Sequence, residues 1–177
     1  MYAFGDSLQA QRLVRSTARA RAEIAADFPF DIPLRTDSLH GGARTLTSAQ
    51  LLGPHLGERP VVLLFWLTTC GPCRRELADL GALMPEWRVK YDFAFVPISI
   101  DFEHRYAQFE QRAAAYPWSS YVDLDREWPL VLPGGLNGVP QIFVFDREGE
   151  LIFHRRKYQA GDLEALAACL ENADQRE

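Results

Sequence analysis

Seven consecutive apolar residues, Val61-Val62-Leu63-Leu64-Phe65-Trp66-Leu67, stand between Pro60 and Thr68. The run is rich in β-branched and aromatic side chains and shows no polar alternation. That is the pattern of a strand buried on both faces at the centre of a sheet. Such a strand needs layers above and below it, and the flanking sequence supplies them. Arg74–Tyr91 carries apolar residues at helical spacing (Leu77, Leu80, Ala82, Leu83, Trp87), with Pro85 expected to kink it. Phe93–Ile100 reads as a second buried strand, and His104–Tyr116 as a second helix with Tyr106, Phe109 and Ala113 roughly on one face. Strand, helix, strand, helix implies parallel neighbours joined by right-handed crossovers, which makes the fold class α/β.

The rest of the chain frames this centre. Residues 6–27 hold no Gly or Pro and read as a helix with a weak apolar stripe (Leu8, Val14, Ala18, Ala22, Ala25), capped by Asp6 or Ser7. Residues 1–28 are therefore read as a helical extension and 29–177 as the main domain. Asp31–Thr36 and Ala43–Thr47 read as short strands around His40-Gly41-Gly42, and a short helix is expected to begin near Thr47. Ser120–Leu124 reads as a strand, and Asp125–Leu132 as a helical stretch stopped by Pro133-Gly134-Gly135. Gln141–Phe145 and Glu150–His154 flank Asp146-Arg147-Glu148-Gly149, a hairpin signal. Asp162–Asn172 reads as an amphipathic closing helix carried by Leu163, Leu166, Ala167 and Leu170. Phe93, Phe95, Phe143, Phe145 and Phe153 alternate as sheet core does.

Composition narrows the function classes. A chain of 177 residues with 47% hydrophobic content suits one domain with a substantial core. The net charge of −5 argues against a nucleic-acid partner bound through counterion release. No apolar run is long enough to span a bilayer, and no secretory apolar region stands at the amino end. Arginine outnumbers lysine, which appears only as Lys90 and Lys157; genomic base composition accounts for this. The cluster Arg12, Arg15, Arg19 and Arg21 reads either as a solvated helix face or as a stem leaving a membrane anchor.

The chemistry concentrates in Cys70-Gly71-Pro72-Cys73, placed between the central strand and the first helix. Zinc ribbons use two such pairs and this chain has one, while His40, His55, His104 and His154 show no ligand spacing, so no metal is expected. A purely structural disulfide would close a tiny loop and stabilise little. The redox reading has a mechanism: a cysteine at a helix amino end meets unpaired N–H groups and the positive end of the dipole, which favour its thiolate. A second cysteine one turn on can then attack the mixed disulfide formed by the first. Pro72 suits the first helical turn, where a missing N–H costs nothing. The third cysteine, Cys169, reads as a small packing residue of the closing helix.

Phe65-Trp66-Leu67-Thr68-Thr69-Cys70-Gly71-Pro72-Cys73-Arg74-Arg75-Glu76-Leu77 resembles the active-site segment of thioredoxin-like proteins, most closely the TlpA/ResA-type thiol–disulfide oxidoreductases. Gly138-Val139-Pro140-Gln141 is similar to that family's cis-proline loop. The resemblance covers about Phe30–Leu170 and implies a thioredoxin-like fold. Its central mixed sheet is flanked by helices, with an N-terminal helix and β-hairpin extension and a central insertion. It implies that Cys70 is the exposed attacking thiolate, Cys73 the buried resolving thiol, and Pro140 a cis residue packed against the sulfurs. Trp66, Thr69, Gly71, Pro72 and Val139 would line the substrate surface, with plain core packing as the alternative for Trp66 and with Val139's backbone free to pair with an extended client.

Two positions depart from the family. Leu64 stands where thioredoxins carry a buried acid, and Thr69 stands where tryptophan often precedes the first cysteine. Resolution at Cys73 then calls for another base or a water. Glu76 is the candidate, with ordinary dipole complementarity as its plain alternative. Asp101 is a weaker candidate, read rather as a helix cap for Glu103 onward. The implied function is a reductant of protein disulfides, fed by an upstream thiol donor and using no cofactor. Two other readings stay open: a peroxiredoxin-like peroxide reductase, disfavoured by Leu67 three residues before Cys70 where those enzymes place threonine or serine, and a non-catalytic binding module of an envelope protein. The family implies action in the periplasm or at the outer face of the cytoplasmic membrane, with a cytoplasmic relative as the alternative. The client, the donor and the oligomeric state are not legible.

Overall fold

The computed structural model describes residues 32–40, 42–132 and 136–174. The helix expected over 6–27, the extension 1–28 with its boundary at 29, and the stop at Pro133-Gly134-Gly135 lie outside the described residues. Strands β1 (Pro33–Thr36) and β2 (Thr45–Thr47) pair antiparallel. Helix α1 (Ser48–Leu52) follows at once, because Thr47 and Gln50 close a capping box: each side chain bonds the other's backbone N–H, at 3.2 and 3.0 Å. β3 (Val61–Trp66) is buried along its whole length. Helix α2 (Gly71–Lys90) follows, running unbroken through Pro85.

β4 (Ala94–Ser99), a 3₁₀ turn at Glu103–Arg105, α3 (Tyr106–Ala113), β5 (Tyr121–Val122) and α4 (Trp128–Val131) form the middle. β6 (Gln141–Phe145), β7 (Leu151–Arg156) and α5 (Asp162–Asp174) end it. The seven strands lie in the order β2-β1-β5-β4-β3-β6-β7. β3, β4 and β5 run parallel, and β6 returns antiparallel beside β3. The sheet is mixed, as the resemblance implies.

The period of two in β3 divides its side chains between two cores. Val62, Leu64 and Trp66 pack with Leu77, Leu80, Met84 and Trp87 of α2, Phe109 of α3 and Leu163, Leu166 and Leu170 of α5. Val61, Leu63 and Phe65 face the other way, against Ile32, Leu34, Leu51, Leu52 and Trp128. Phe65 meets Trp128 at 5.4 Å and Phe143 edge-on at 5.7 Å between ring centroids. The five phenylalanines do not form one surface: Phe143 and Phe145 belong to the second core, while Phe93, Phe95 and Phe153 are half-buried against the first.

The helix α2, the β5–α4 corner and the role of Asp101 differ from expectation. α2 begins at Gly71 rather than Arg74, because Cys70 itself serves as the cap and Pro72 sits in the first turn. β5 is only two residues long, and α4 covers four residues of the expected Asp125–Leu132. Asp123 fixes that corner by accepting from the backbone N–H groups of Glu127 (3.1 Å) and Trp128 (2.9 Å). The third difference is Asp101, which caps no helix: the 3₁₀ turn starts after Phe102 with no side-chain cap. Its buried carboxylate instead accepts from Thr68 N (2.8 Å), Thr68 Oγ1 (2.9 Å) and Ser99 Oγ (2.6 Å). It ties the end of β4 to the turn that leads out of β3 into Cys70.

Asp101→Ala strands the Thr68 N–H and two hydroxyls in a buried setting. A loss of about 2–4 kcal/mol in urea unfolding is expected, since each buried unsatisfied group costs roughly 1–3 kcal/mol. An unchanged unfolding midpoint would show that the bracket contributes nothing.

Candidate active site

The sulfur of Cys70 occupies the position an N-cap oxygen usually fills. Cys70 has extended backbone (φ −79°, ψ 111°), and its Sγ accepts the backbone N–H of Cys73 at 3.1 Å. Cys70 and Cys73 are joined by a disulfide. Cys73 is fully buried in the α2 core, while Cys70 is half-exposed at the helix mouth. One sulfur is open to a partner and the other is not. Thr69 and Pro72 are exposed and Gly71 half-exposed around it, forming the rim.

The opposite wall comes from the loop before β6. The Val139–Pro140 peptide bond is cis, the geometry the resemblance implies. The carbonyl oxygen of Val139 lies 3.7 Å from Cys70 Sγ. Three hydrogen bonds hold this loop. Lys157 N–H donates to the Pro140 carbonyl at 2.9 Å. The buried Gln141 donates from Nε2 to the Gly138 carbonyl at 2.8 Å, and its Oε1 lies 3.1 Å from His154 Nε2. His154 stacks on Phe143 at 4.2 Å between ring centroids. In the sequence Gln141 stands only as the last residue of the loop motif and His154 only as a histidine without ligand spacing. Their positions in facing strands of a hairpin were the available signal, since cross-strand neighbours on one face meet.

Trp66 is corrected. It is fully buried, 6.0 Å from the Phe109 ring, and belongs to the core beneath the site rather than to a surface a client can touch. An inward parity at the end of a strand buried on both faces leaves no other place for it. Leu64 is likewise fully buried and apolar, so no carboxylate stands at that point of the strand.

Glu76 is not an exposed complement to the helix dipole. It is fully buried on the α2 stripe that also carries Cys73 and Leu77. Residues three apart on a helix hold their Cβ atoms about 5–6 Å from each other, so Glu76 and Cys73 are neighbours. Burial pushes its carboxyl up to about 7, against the pull of the Arg155 guanidinium; Asp162 and Asp79 push in the same direction as burial. Oε1 accepts from Arg155 Nη2, while the buried Oε2 has no hydrogen-bond partner among the described residues. Arg155, on β7, also approaches Asp162 at 3.4 Å. The sequence signal for Arg155 was its parity with Phe153: an inward-pointing charge on a strand must find a partner.

Cys169 is half-buried on α5 beside the first core and stands outside the disulfide. Among the described residues no group of three or more His, Cys, Asp or Glu side chains is placed to hold a metal ion.

Known proteins bear on this geometry. A chlorobial structure from Chlorobium tepidum, titled a putative thiol:disulfide interchange protein DsbE, superposes with a TM-score of 0.62 at 24% identity, covering 81% of this chain and 92% of that one. The bacterioferritin comigratory protein of Xanthomonas campestris, titled for its alkyl peroxide reduction activity, superposes with a TM-score of 0.63 at 20% identity over 83% and 94%. At these identities the likeness is one of fold. Bovine (Bos taurus) nucleoredoxin is 28% identical over 129 residues, which is 70% of this chain but 28% of that protein. The chain thus spans less than a third of the curated relative it matches. The family model described as a thioredoxin-like domain matches residues 55–173, from just after α1 into the last turn of α5. With the CxxC pair at the mouth of α2, the cis-proline wall and the mixed sheet already in place, the chain belongs to the thioredoxin-like domain family.

Proposed function

We propose that the chain is a thiol–disulfide oxidoreductase that reduces disulfides of client proteins. The observation that carries this reading is the asymmetry of the pair: Cys70 is open at a helix amino end, and Cys73 is buried one turn on. In the reduced protein the Cys70 thiolate attacks one sulfur of a client disulfide. A mixed disulfide forms, and the client's other sulfur leaves as a thiolate that takes a proton from solvent. Cys73 then gives its proton to Glu76, and its sulfur attacks Cys70 Sγ. The intramolecular disulfide closes and the second client thiolate departs. Two electrons pass from the Cys70–Cys73 dithiol to the client, and an upstream dithiol must return them.

Pro140 offers no N–H to compete for the thiolate. Val139 presents its backbone beside Cys70 for an extended client segment. Thr69, Gly71 and Pro72 form the rest of the contact surface. Glu76 suits the role of base because its ionisation falls near neutrality. The resemblance to the TlpA/ResA branch supports a place of action at the outer face of the cytoplasmic membrane. No helix among the described residues is long and apolar enough to cross a membrane.

Insulin reduction driven by dithiothreitol tests the reading. Cys70→Ser should fall to the uncatalysed rate, and Cys73→Ser should accumulate a mixed disulfide at Cys70. Equal rates for Cys70→Ser and the parent would end the claim, and peroxide consumption far faster than insulin reduction would replace it with a peroxidase.

Resolution of a preformed mixed disulfide should accelerate as pH rises through about 7, because Glu76 accepts a proton only when ionised. Glu76→Gln should remove that rise and slow resolution above it by about 10²-fold, the lower part of the range for a lost general base. A rise of the same midpoint and height in the variant would exclude Glu76 as the base.

A further inference from the structure

Arg155 links the last helix to Glu76, one helical turn from Cys73. It stands on β7, at the rim of the sheet, yet its side chain is nine-tenths buried. Three groups surround its guanidinium. Nη2 donates to Glu76 Oε1. Nε lies 3.4 Å from Asp162 Oδ2 in the first turn of α5. The ring of Tyr158 has its centroid 5.6 Å from Cζ, and the Tyr158 hydroxyl is anchored by donating to Asp79 Oδ2 at 2.6 Å. One cation is thus shared between two carboxylates of different exposure: Glu76, fully buried, and Asp162, about a quarter exposed.

Resting on the reading of Glu76 as the base, we propose that Arg155 is a positioning residue that sets the charge of Glu76, and that Asp162 at the start of α5 divides that cation's pull. The physical argument is a competition. A carboxylate without water is held neutral unless an opposite charge stands against it. Among the described residues, the charged groups acting on Glu76 are one cation, Arg155, and two anions, Asp79 from α2 and Asp162 from α5. Without Arg155 the carboxyl would stay protonated through neutral pH and have no room for a proton from Cys73. Without Asp162 the guanidinium would pull on Glu76 alone. The single bond from Arg155 engages Oε1 and leaves Oε2 as the oxygen that can take the proton.

The test is the titration of Glu76 followed by carboxyl ¹³C NMR in the full chain, its resonance identified by its loss in Glu76→Gln. Arg155→Met should move the midpoint up by at least about one pH unit, and Arg155→Lys should hold it closer to the parent, as expected when an opposite charge at contact distance is removed or kept. Asp162→Asn should move it down by roughly half a unit, because a like charge is lost. Opposite displacements are something a merely structural role does not produce. Should Arg155→Met fail to fold, Arg155→Lys and Asp162→Asn carry the comparison. Midpoints that stay in place, or that move in the same direction in both variants, overturn the proposal. The pH profile of mixed-disulfide resolution, measured on the same variants, separates the two claims. If the NMR midpoints shift apart and the rate profile stays still, Arg155 keeps its hold on Glu76 and the reading of Glu76 as base fails.

Discussion

A helix amino end offers N–H groups that nothing inside the helix can satisfy. In this protein one of them is met by sulfur. The bond from Cys73 N–H to Cys70 Sγ makes the reactive atom part of the helix's own termination, so the site cannot be misplaced without unwinding the first turn of α2. Everything around it serves that placement. β3 brings the chain to the centre of the sheet, Asp101 fixes the turn at Thr68, and Leu77, Leu80 and Met84 press α2 onto the core. A sulfur in this position is weaker as a cap than a hydroxyl or carboxylate oxygen. The structure keeps a modest cap in exchange for a nucleophile already pointed at solvent.

Two buried carboxylates near the site show how surroundings decide chemistry. Asp101 accepts three hydrogen bonds from neutral donors and acts as a fixed bracket. Glu76 receives one bond from a guanidinium and keeps one oxygen unengaged, which leaves it near the point of ionisation. Burial is what raises the Glu76 carboxyl, and the single guanidinium bond opposes it only in part. With Leu64 apolar, the central strand offers no ionisable group at that point, and the one beneath the site is Glu76, on the helix that carries Cys73.

Much of this was legible because it is local or periodic. The unbroken apolar run reads as a central strand, and the helix after it implies that the next strand, β4, runs parallel to β3, as it does. The cysteine pair and the proline of Val139–Pro140 marked the site through a resemblance in linear motif. What escaped was of another kind. Arg155 meets Glu76 across a sequence separation of 79 residues, and Gln141 meets His154 across a hairpin whose register only folding fixes. For Trp66 the core alternative holds, because a motif says that a residue is near a site, while parity says which side of the sheet it faces. Asp101 was misread because a helix start after it offered a simpler partner than Thr68, 33 residues earlier.

The position of β7 carries a consequence of its own. An unpaired rim strand invites another chain to add to the ladder and seed aggregates. The two rims of this sheet answer that hazard differently. β2 is three residues long, too short to template anything. β7 ends in Arg155-Arg156, with Lys157 just beyond it, and Arg155 turns inward. Among the described residues, the same guanidinium that reaches Glu76 therefore also sets a charge on the marginal strand of the sheet, one of the devices by which edge strands are made poor templates.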